Sequence, residues 1–157
     1  MTAQSPSSPR PLASNRKALH DYHVHERLEA GIALTGTEVK SCRAGRVQLR
    51  EGFVEFRNGE AWLVGAHISP YADGFRDSPP PERERKLLLS RREIDRLAGR
   101  AQAKGFTVVP LALYLKGPRV KVEIALVQGK KLFDKRESER RKELDREAAR
   151  AMAGERE

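Results

Sequence analysis

The run FVEFRNGEAWLVG, residues 53–65, predicts a β-hairpin, and this hairpin constrains the fold more than any other stretch of the chain. Asn58-Gly59 is the dipeptide preferred in two-residue hairpin turns, and apolar and polar residues alternate on both sides of it. The implied register sets Arg57 opposite Glu60. One face of the hairpin should be buried, and it carries Val54, Phe56, Ala61 and Leu63. The other face is mixed in character and carries Phe53, Glu55, Trp62 and Val64.

A second hairpin is predicted around Gly117-Pro118, between the runs FTVVPLALYLK and RVKVEIALVQ. Alternation along the second run indicates a buried set on every other position. That set comprises Val120, Val122, Ile124 and Leu126, and it leaves Lys121 and Glu123 facing solvent. Pro110 has no N–H to donate to a strand ladder, so it should mark a sheet edge or a bulge.

Two helices interrupt these strands. In the first, TEVKSCRAG, we expect Thr37 to be the N-cap and Gly45 to end the helix. In the second, Ser90 and Glu93 have the spacing of a capping box, and an apolar stripe follows that stops before Gly105. Short antiparallel strands with inserted helices favour a mainly β fold with short helices. The expected architecture is an OB-like, partly open antiparallel barrel with a C-terminal tail that is disordered or helical.

The composition divides the chain into three zones. Residues 1–14 are rich in Ser and Pro, so we expect a disordered N-terminal segment. Residues 15–128 contain nearly all the Val, Ile, Leu and aromatic residues and should form the OB-like domain. Residues 129–157 form a basic tail with few apolar residues, which could begin a helix at Asp134 and Glu137. Such a helix buries too little surface to be ordered alone, so it should become ordered only against a partner.

The net charge of the chain is +9, which suits an anionic partner, either nucleic acid or an acidic membrane surface. No apolar stretch has the length of a membrane span, and the N-terminus lacks the apolar core of a secretory signal. Cys42 is the only cysteine, which excludes an internal disulfide and any CxxC metal motif. We therefore expect a cytoplasmic protein that does not cross a membrane, and we predict no membrane partner.

The stretch HDYHVHE is the best candidate for metal chemistry. On a strand, Asp21, His23 and His25 would share one face. A metal site needs three or four convergent ligands, and one strand supplies them only along a line. We expect no metal, no cofactor and no catalytic residues, and the sequence contains no phosphate loop or nucleophile motif. A metal-dependent ribonuclease that uses these residues with His20 remains the enzyme alternative.

Basic residues surround the second helix. Arg91, Arg92, Arg96 and Arg100 fit a solvated helix face, since arginines at a helix N-terminus oppose its dipole. The segment RERK, residues 83–86, follows a run of prolines, and we expect this loop to contact phosphate.

Four blocks of sequence, in order, resemble the SsrA-binding protein (small protein B) family. They are NRKALHDY at 15–22, EAGIALTGTEVKS at 29–41, RKLLLSRREI at 85–94 and KVEIALVQGKKLFDKR at 121–136. The resemblance implies an oligonucleotide-binding barrel that binds the tRNA-like end of transfer-messenger RNA. It also implies that the protein acts as a monomer in this complex and that the complex enters stalled ribosomes. There the tail would reach the small-subunit decoding centre and become helical in the messenger channel, so that trans-translation rescues the ribosome and tags the incomplete protein.

The resemblance also implies roles for individual residues. The RNA-binding body set that we predict comprises Asn15, Lys17, His20, Glu29, Arg43, Arg85, Lys86, Leu88 and Lys121. The predicted decoding-centre set in the tail comprises Lys130, Lys131, Phe133, Asp134, Lys135 and Arg136. Some family members carry histidine where this chain has Phe133, so stacking on a base would be the property that the two residues share.

Several alternatives stay open at this level. Glu29 could brace the turns at Gly31 and Gly36 rather than contact RNA, and Leu88 could be a core residue. Trp62 is expected to be covered, as large aromatic residues usually are. The alternative function is a generic OB-type RNA- or ribosome-binding module without a rescue role.

Overall fold

The computed structural model describes residues 11–71 and 78–155, with the backbone alone for residues 131–137 and 152–155. The elements in chain order are β1 (Pro11–Ser14), α1 (Arg16–Asp21), β2 (Tyr22–Ile32), α2 (Gly36–Arg43), β3 (Val47–Gln48), β4 (Phe53–Arg57), β5 (Glu60–Val64), β6 (His67–Ile68), β7 (Arg85–Leu88), α3 (Arg91–Arg100), β8 (Phe106–Lys116), β9 (Arg119–Gly129) and α4 (Lys130–Glu155).

Within the described ranges, seven strands form an antiparallel sheet in the order β1-β8-β9-β2-β7-β5-β4, and β3 pairs with β6 beside it. The edge strand β4 curls back against β8, so the sheet wraps around its core as a partly open barrel. A Cβ on Gly52 would lie 3.0 Å from Cγ of Pro110, so glycine permits the close approach at this point. The mainly β, OB-like prediction is confirmed.

Both predicted hairpins are present, and the first has the predicted register. Arg57 pairs with Glu60 across the first, and Lys116 pairs with Arg119 across the second. The ladder between β8 and β9 shifts register just after Pro110, so this proline marks a bulge and not an edge. The inward faces of the hairpins form the core with Ile94 and Leu97 of α3. The predicted capping box of Ser90 and Glu93 begins that helix.

The structure corrects several expectations about the N-terminal half of the chain. Residues Pro11–Ser14 form β1 on β8, so predicted disorder over residues 1–14 is wrong for its last four residues, and residues 1–10 lie outside the described part. His20 and Asp21 end α1, so HDYHVHE is not one continuous strand. The N-cap of α2 is Thr35, whose hydroxyl accepts a hydrogen bond from the Glu38 N–H, and not Thr37. The expected stop is correct, since Gly45 follows α2 with φ +76°.

Two further boundaries also differ from expectation. Arg85 and Lys86 belong to a strand, β7, and not to a loop, because they pair with Leu63 and Trp62 of β5. The tail helix begins at Lys130, directly after β9, and not near Asp134. The helical option for the tail is the one that the structure adopts.

Candidate nucleic-acid interface

The outer face of the sheet divides into two halves of opposite character. In the first, α1 packs through Ala18 onto a small second cluster of apolar side chains. We call this the covered half, and its strand residues are Val24, Val109, Leu111, Ala125 and Val127. Farther along the same strands, and on the neighbouring strand β7, lies a half that α1 does not cover. We call it the open half, and its residues are Glu29, Lys86, Leu88, Tyr114 and Lys121.

One row of the open half crosses four neighbouring strands. The register sets Tyr114 of β8 beside Lys121 of β9, Lys121 beside Gly31 of β2, and Gly31 beside Leu88 of β7. Leu88 is 57% exposed, and a Cβ on Gly31 would lie 3.1 Å from the Leu88 Cβ. The glycine therefore leaves room for Leu88 to lie over the sheet. The alternative that Leu88 is a core residue is wrong.

Lys86 occupies the next outward position of β7. Its Nζ lies 2.8 Å from Oε2 of Glu60, and both side chains are more than two-fifths exposed. Trp62 is its cross-strand neighbour and is only half-buried, with the Arg57 guanidinium 5.3 Å from the ring centroid. The expectation that Trp62 is covered is met in part, because the Arg57 guanidinium lies over one face of the ring. Lys86, Leu88 and Lys121 thus lie on the same exposed face.

Glu29 is held ionised in the open half. The Tyr114 hydroxyl donates to its Oε2 at 2.5 Å, and Lys116 Nζ donates to its Oε1 at 3.1 Å. The hydrogen bond from Tyr114 and the charge of Lys116 lower the pKa of Glu29 below its ordinary value, against the opposing effect of burial. Burial and the Glu29 carboxylate raise the pKa of Tyr114. Glu29 is therefore a partly exposed hydrogen-bond acceptor that is braced against β8.

Asn15 is not on the surface, which corrects its predicted contact with RNA. It is 2% exposed, its Oδ1 accepts from the Ala18 N–H, and its Nδ2 donates to the carbonyls of Leu49 and Pro110. Both N–H groups of the amide are used, so the side chain fixes α1 to the bulge of β8.

Lys17 and His20 are exposed residues of the helix that Asn15 holds. Lys17 Nζ lies 3.6 Å from Oε2 of Glu51 at the mouth of a cleft of about 320 Å³ between α1 and residues 50–53. His20 Nδ1 lies 2.9 Å from Asp21 Oδ1, and this hydrogen bond lowers the pKa of Asp21. These two residues stand at the end of the sheet that carries the covered half.

Arg85 is the second correction among the predicted RNA contacts. Its side chain has no exposed area and points inward, toward α2. Its Nε and Nη2 donate to Oε2 of Glu38 at 2.9 and 2.7 Å, and it also donates to the carbonyls of Ala66 and Pro81. Arg83 donates to the other Glu38 oxygen at 2.6 Å. Of the two basic residues of RERK that lie on β7, Arg85 points inward and Lys86 points outward.

The Glu38 carboxylate is 3% exposed and carries charge in the interior. Burial acts to raise its pKa, but hydrogen bonds from Arg83, the Thr35 N–H and Arg85 outweigh burial and lower the pKa below its ordinary value. The local sequence around Glu38 did not predict this buried cluster. Its partners lie about 45 positions away, and the sequence carries no local signal for such a pairing.

The remaining basic candidates lie elsewhere on the body. Arg43 is exposed at the end of α2. On α3, Arg96 and Arg100 both donate to the carboxylate of Glu26, which fits the predicted solvated helix face. Tyr114 and Lys116 were absent from the predicted set. The hairpin register could have found Tyr114, because Gly117-Pro118 sets it opposite Lys121.

The tail helix α4 has no described side chain in the core. Lys130 and residues 138–151 are exposed, Leu144 is 57% exposed, and Arg146 and Arg150 pair with Glu143 of the same helix. The remaining predicted decoding-centre residues, Lys131, Phe133, Asp134, Lys135 and Arg136, have side chains outside the described part.

The described residues contain no group of three or more His, Cys, Asp or Glu side chains that could hold a metal ion. His25 Nε2 lies 3.1 Å from Oε1 of Gln128, and its ring contacts Phe106. Burial raises the pKa of the Cys42 thiol to about 11, so that thiol stays protonated at neutral pH. None of the described helices is both long and apolar enough to cross a membrane.

Comparisons with known proteins agree over most of the chain. The family model described as SmpB protein matches residues 12–154. The SsrA-binding protein of Carboxydothermus hydrogenoformans is 54% identical over 141 residues, which cover 90% of this chain and 95% of that protein. The SsrA-binding protein of Bifidobacterium adolescentis is 56% identical over 144 residues, 91% of each chain. A solved structure described as "tmRNA-SmpB: a journey to the center of the bacterial ribosome" contains a chain that is 46% identical, with a TM-score of 0.67 over 77% of this chain and 85% of that one.

Proposed function

The chain belongs to the SmpB family, and on that premise we propose that it binds transfer-messenger RNA and acts with it on stalled ribosomes in trans-translation. In this role the protein binds transfer-messenger RNA and the RNA of the ribosome, and it catalyses no reaction of its own. It acts in the cytoplasm, where ribosomes translate. The match to SsrA-binding proteins over about nine-tenths of the chain is the observation that carries the proposal.

The open half is the RNA-binding surface of the body in this proposal. It offers two lysines for phosphate, an exposed leucine and a tyrosine for sugar or base faces, and an ionised acceptor in Glu29. A carboxylate on a positively charged surface suits contact with a ribose 2′-OH or an exocyclic amine, both of which donate hydrogen bonds. The contribution of Asn15 is indirect, through the position of α1, and Lys17 and His20 extend the surface at its far end.

The tail supplies the second contact. A helix of 26 residues is about 39 Å long, and its described side chains leave it free to enter a channel of RNA. We assign Lys130, Lys131, Phe133, Asp134, Lys135 and Arg136 to the decoding centre and residues 138–151 to the messenger channel. One copy of the protein acts on each ribosome.

The test of RNA choice is to recover the protein from bacterial lysate and sequence the RNA bound to it. We expect transfer-messenger RNA to be enriched over transfer RNA.

The surface is tested by Lys86→Glu and Lys121→Glu, each of which should weaken binding to the tRNA-like domain about tenfold and lower the salt dependence of log K by about one unit. Lys104→Glu, at the other end of β8, is the matched control and should bind within about twofold of the parent.

Truncation after Gly129 separates this proposal from a generic RNA-binding module. A rescue factor should lose peptidyl transfer on stalled ribosomes while the body still binds the tRNA-like domain. A generic module should instead lose affinity in proportion to the charge removed, with a smaller salt slope. Retention of rescue by the truncated protein would contradict the role of the tail.

A further inference from the structure

The buried Glu38 carboxylate joins several separate parts of the chain. It closes the capping box of α2 at Thr35 and accepts hydrogen bonds from Arg83 and Arg85. Through Arg85 the same cluster reaches the carbonyls of Ala66 and Pro81, at 3.0 Å each. One carboxylate thus links α2, the start of β7 and the segments that flank β6.

The strand that begins in this cluster is short and carries two residues of the open half. Strand β7 has four residues, of which Arg85 and Leu87 point inward while Lys86 and Leu88 point outward. Its pairing with β2 extends over only two residue pairs. A slip of one residue would exchange the two faces, so the register of β7 decides whether Lys86 and Leu88 reach the RNA side.

The buried charges discriminate between these registers. A slip in one direction would bring Glu84 toward Glu38, where two carboxylates repel each other. A slip in the other direction would bring Lys86 inward, and a lysine cannot reproduce the fork of bonds that Arg85 makes to Glu38 and two carbonyls. In the observed register Glu38 and Arg85 both have their hydrogen-bond partners. Buried ion pairs add little net stability over apolar residues, but they can specify one arrangement.

We propose that Glu38 is a positioning residue for RNA recognition, which sets the register of β7 through Arg85 and so presents Lys86 and Leu88 on the open half. The inference rests on the proposed function, because it concerns how that RNA-binding surface is held. Glu38 does not touch RNA in this arrangement, since it lies on the opposite side of the sheet from the open half.

The test compares the native chain with the double variant Glu38→Leu/Arg85→Met, which removes both charges together so that no uncompensated charge remains. Lys86→Glu and Lys121→Glu are made in each background. The measurements are the affinity for the tRNA-like domain of transfer-messenger RNA, by fluorescence anisotropy at fixed salt, and urea unfolding. Lys121 is the internal control because it lies on β9, whose long pairings do not involve Glu38.

We expect the double variant to fold and to bind about tenfold more weakly than the native chain. In it, Lys86→Glu should change affinity by less than about twofold, because Lys86 no longer faces the RNA side, whereas Lys121→Glu should keep its full effect, because β9 keeps its register. An equal effect of Lys86→Glu in both backgrounds would overturn the positioning role. If neither lysine matters in the native chain, the proposed RNA surface is wrong and the inference fails with it.

A second variant covers the outcome in which the double variant does not fold. Arg85→Lys keeps the positive charge but loses the several directed hydrogen bonds of the guanidinium. We expect this variant to fold, and we expect Lys86→Glu to weaken RNA binding less in it than in the native chain. If Arg85→Lys binds like the native chain, Glu38 and Arg85 do not set the register. Failure of both variants to fold would likewise overturn the proposal, because the pair would then be required for the fold as a whole.

Discussion

The covered and open halves of the outer sheet face share three strands, β2, β8 and β9, and the open half continues onto β7, yet the two halves present opposite surfaces. On β9, Ala125 and Val127 lie under α1, while Lys121 and Glu123 lie on the same face a few residues earlier. The strand residues differ with what lies above them, since they are apolar under α1 and charged where α1 no longer covers the sheet. This shows that a change from apolar to charged residues on alternate positions of one strand marks the point at which a covering helix ends.

The largest effect should come from a charge placed in the covered half. Ala125 is 1% exposed, so Ala125→Glu would bury a carboxylate without a partner beneath α1. We expect it to lower the free energy of unfolding by about 3–5 kcal/mol, measured by urea denaturation. Glu123→Ala, two residues away on the same face, is the control and should change stability by less than about 1 kcal/mol. Equal losses for the two variants would remove the distinction between the halves.

The next effect should come from release of the cover itself. Asn15→Ala removes the cap of α1 and leaves the carbonyls of Leu49 and Pro110 without their amide donor. We expect a loss of about 2 kcal/mol of unfolding free energy, with faster hydrogen exchange in α1 than in the core strands. Lys17→Ala, on the same helix but exposed, should lose less than about 0.5 kcal/mol. A loss spread evenly over the whole sheet would argue that Asn15 does more than fix α1.

A smaller effect is expected for the hydrogen bond inside the open half. Tyr114→Phe removes the donor to Glu29 and should cost about 1 kcal/mol near neutral pH. Because the folded-state pKa of Glu29 is lowered, its contribution is complete above the ordinary value of 4.5 and is lost as the pH falls through the folded-state pKa. The Glu29 carboxyl, followed by NMR, should therefore titrate at a higher pH in the variant. An unchanged midpoint would mean that Tyr114 does not hold the carboxylate.

The smallest effect on stability should come from Leu88, although its effect on binding should be clear. Leu88→Ala removes a side chain that is 57% exposed, so unfolding free energy should change by less than about 0.5 kcal/mol. Affinity for the tRNA-like domain should fall about tenfold, which corresponds to one base or sugar contact. A stability loss above about 1.5 kcal/mol, measured by the same urea titration, would return Leu88 to the core.

Local patterns predicted much of this fold. The turn residues of the two hairpins, the alternation along β9 and the capping box of α3 depend on neighbours in sequence, and the structure agrees with each. The short helix α1 was missed because six residues give too brief a periodic signal beside the alternating HDYHVHE. The N-cap of α2 was displaced by two residues, because Thr35 and Thr37 are equally suitable as caps and only packing selects between them.

The site was less predictable for a physical reason. Whether a polar residue faces solvent depends on partners that are distant in sequence, as Asn15 and Arg85 demonstrate. Asn15 is satisfied by carbonyls of two other segments, and Arg85 by a carboxylate 47 positions earlier. Lys86, Leu88 and Lys121 were predicted to lie at the surface together, and the sheet register brings them onto one face. Their contact with RNA remains a prediction.

The direct passage from β9 into α4 has a mechanical consequence. No loop separates the two, and the N–H of Gly129 donates to the carbonyl of Gly105. The start of the helix is therefore fixed to a strand that is paired on both sides, with β8 and with β2. Over a lever of about 39 Å, a tilt of about 5° at Gly129 moves the far end by only about 3 Å. The orientation of the barrel therefore sets the direction of the whole helix, and a force on the far end of the helix is transmitted to the barrel as torque on β9, an inner strand of the sheet.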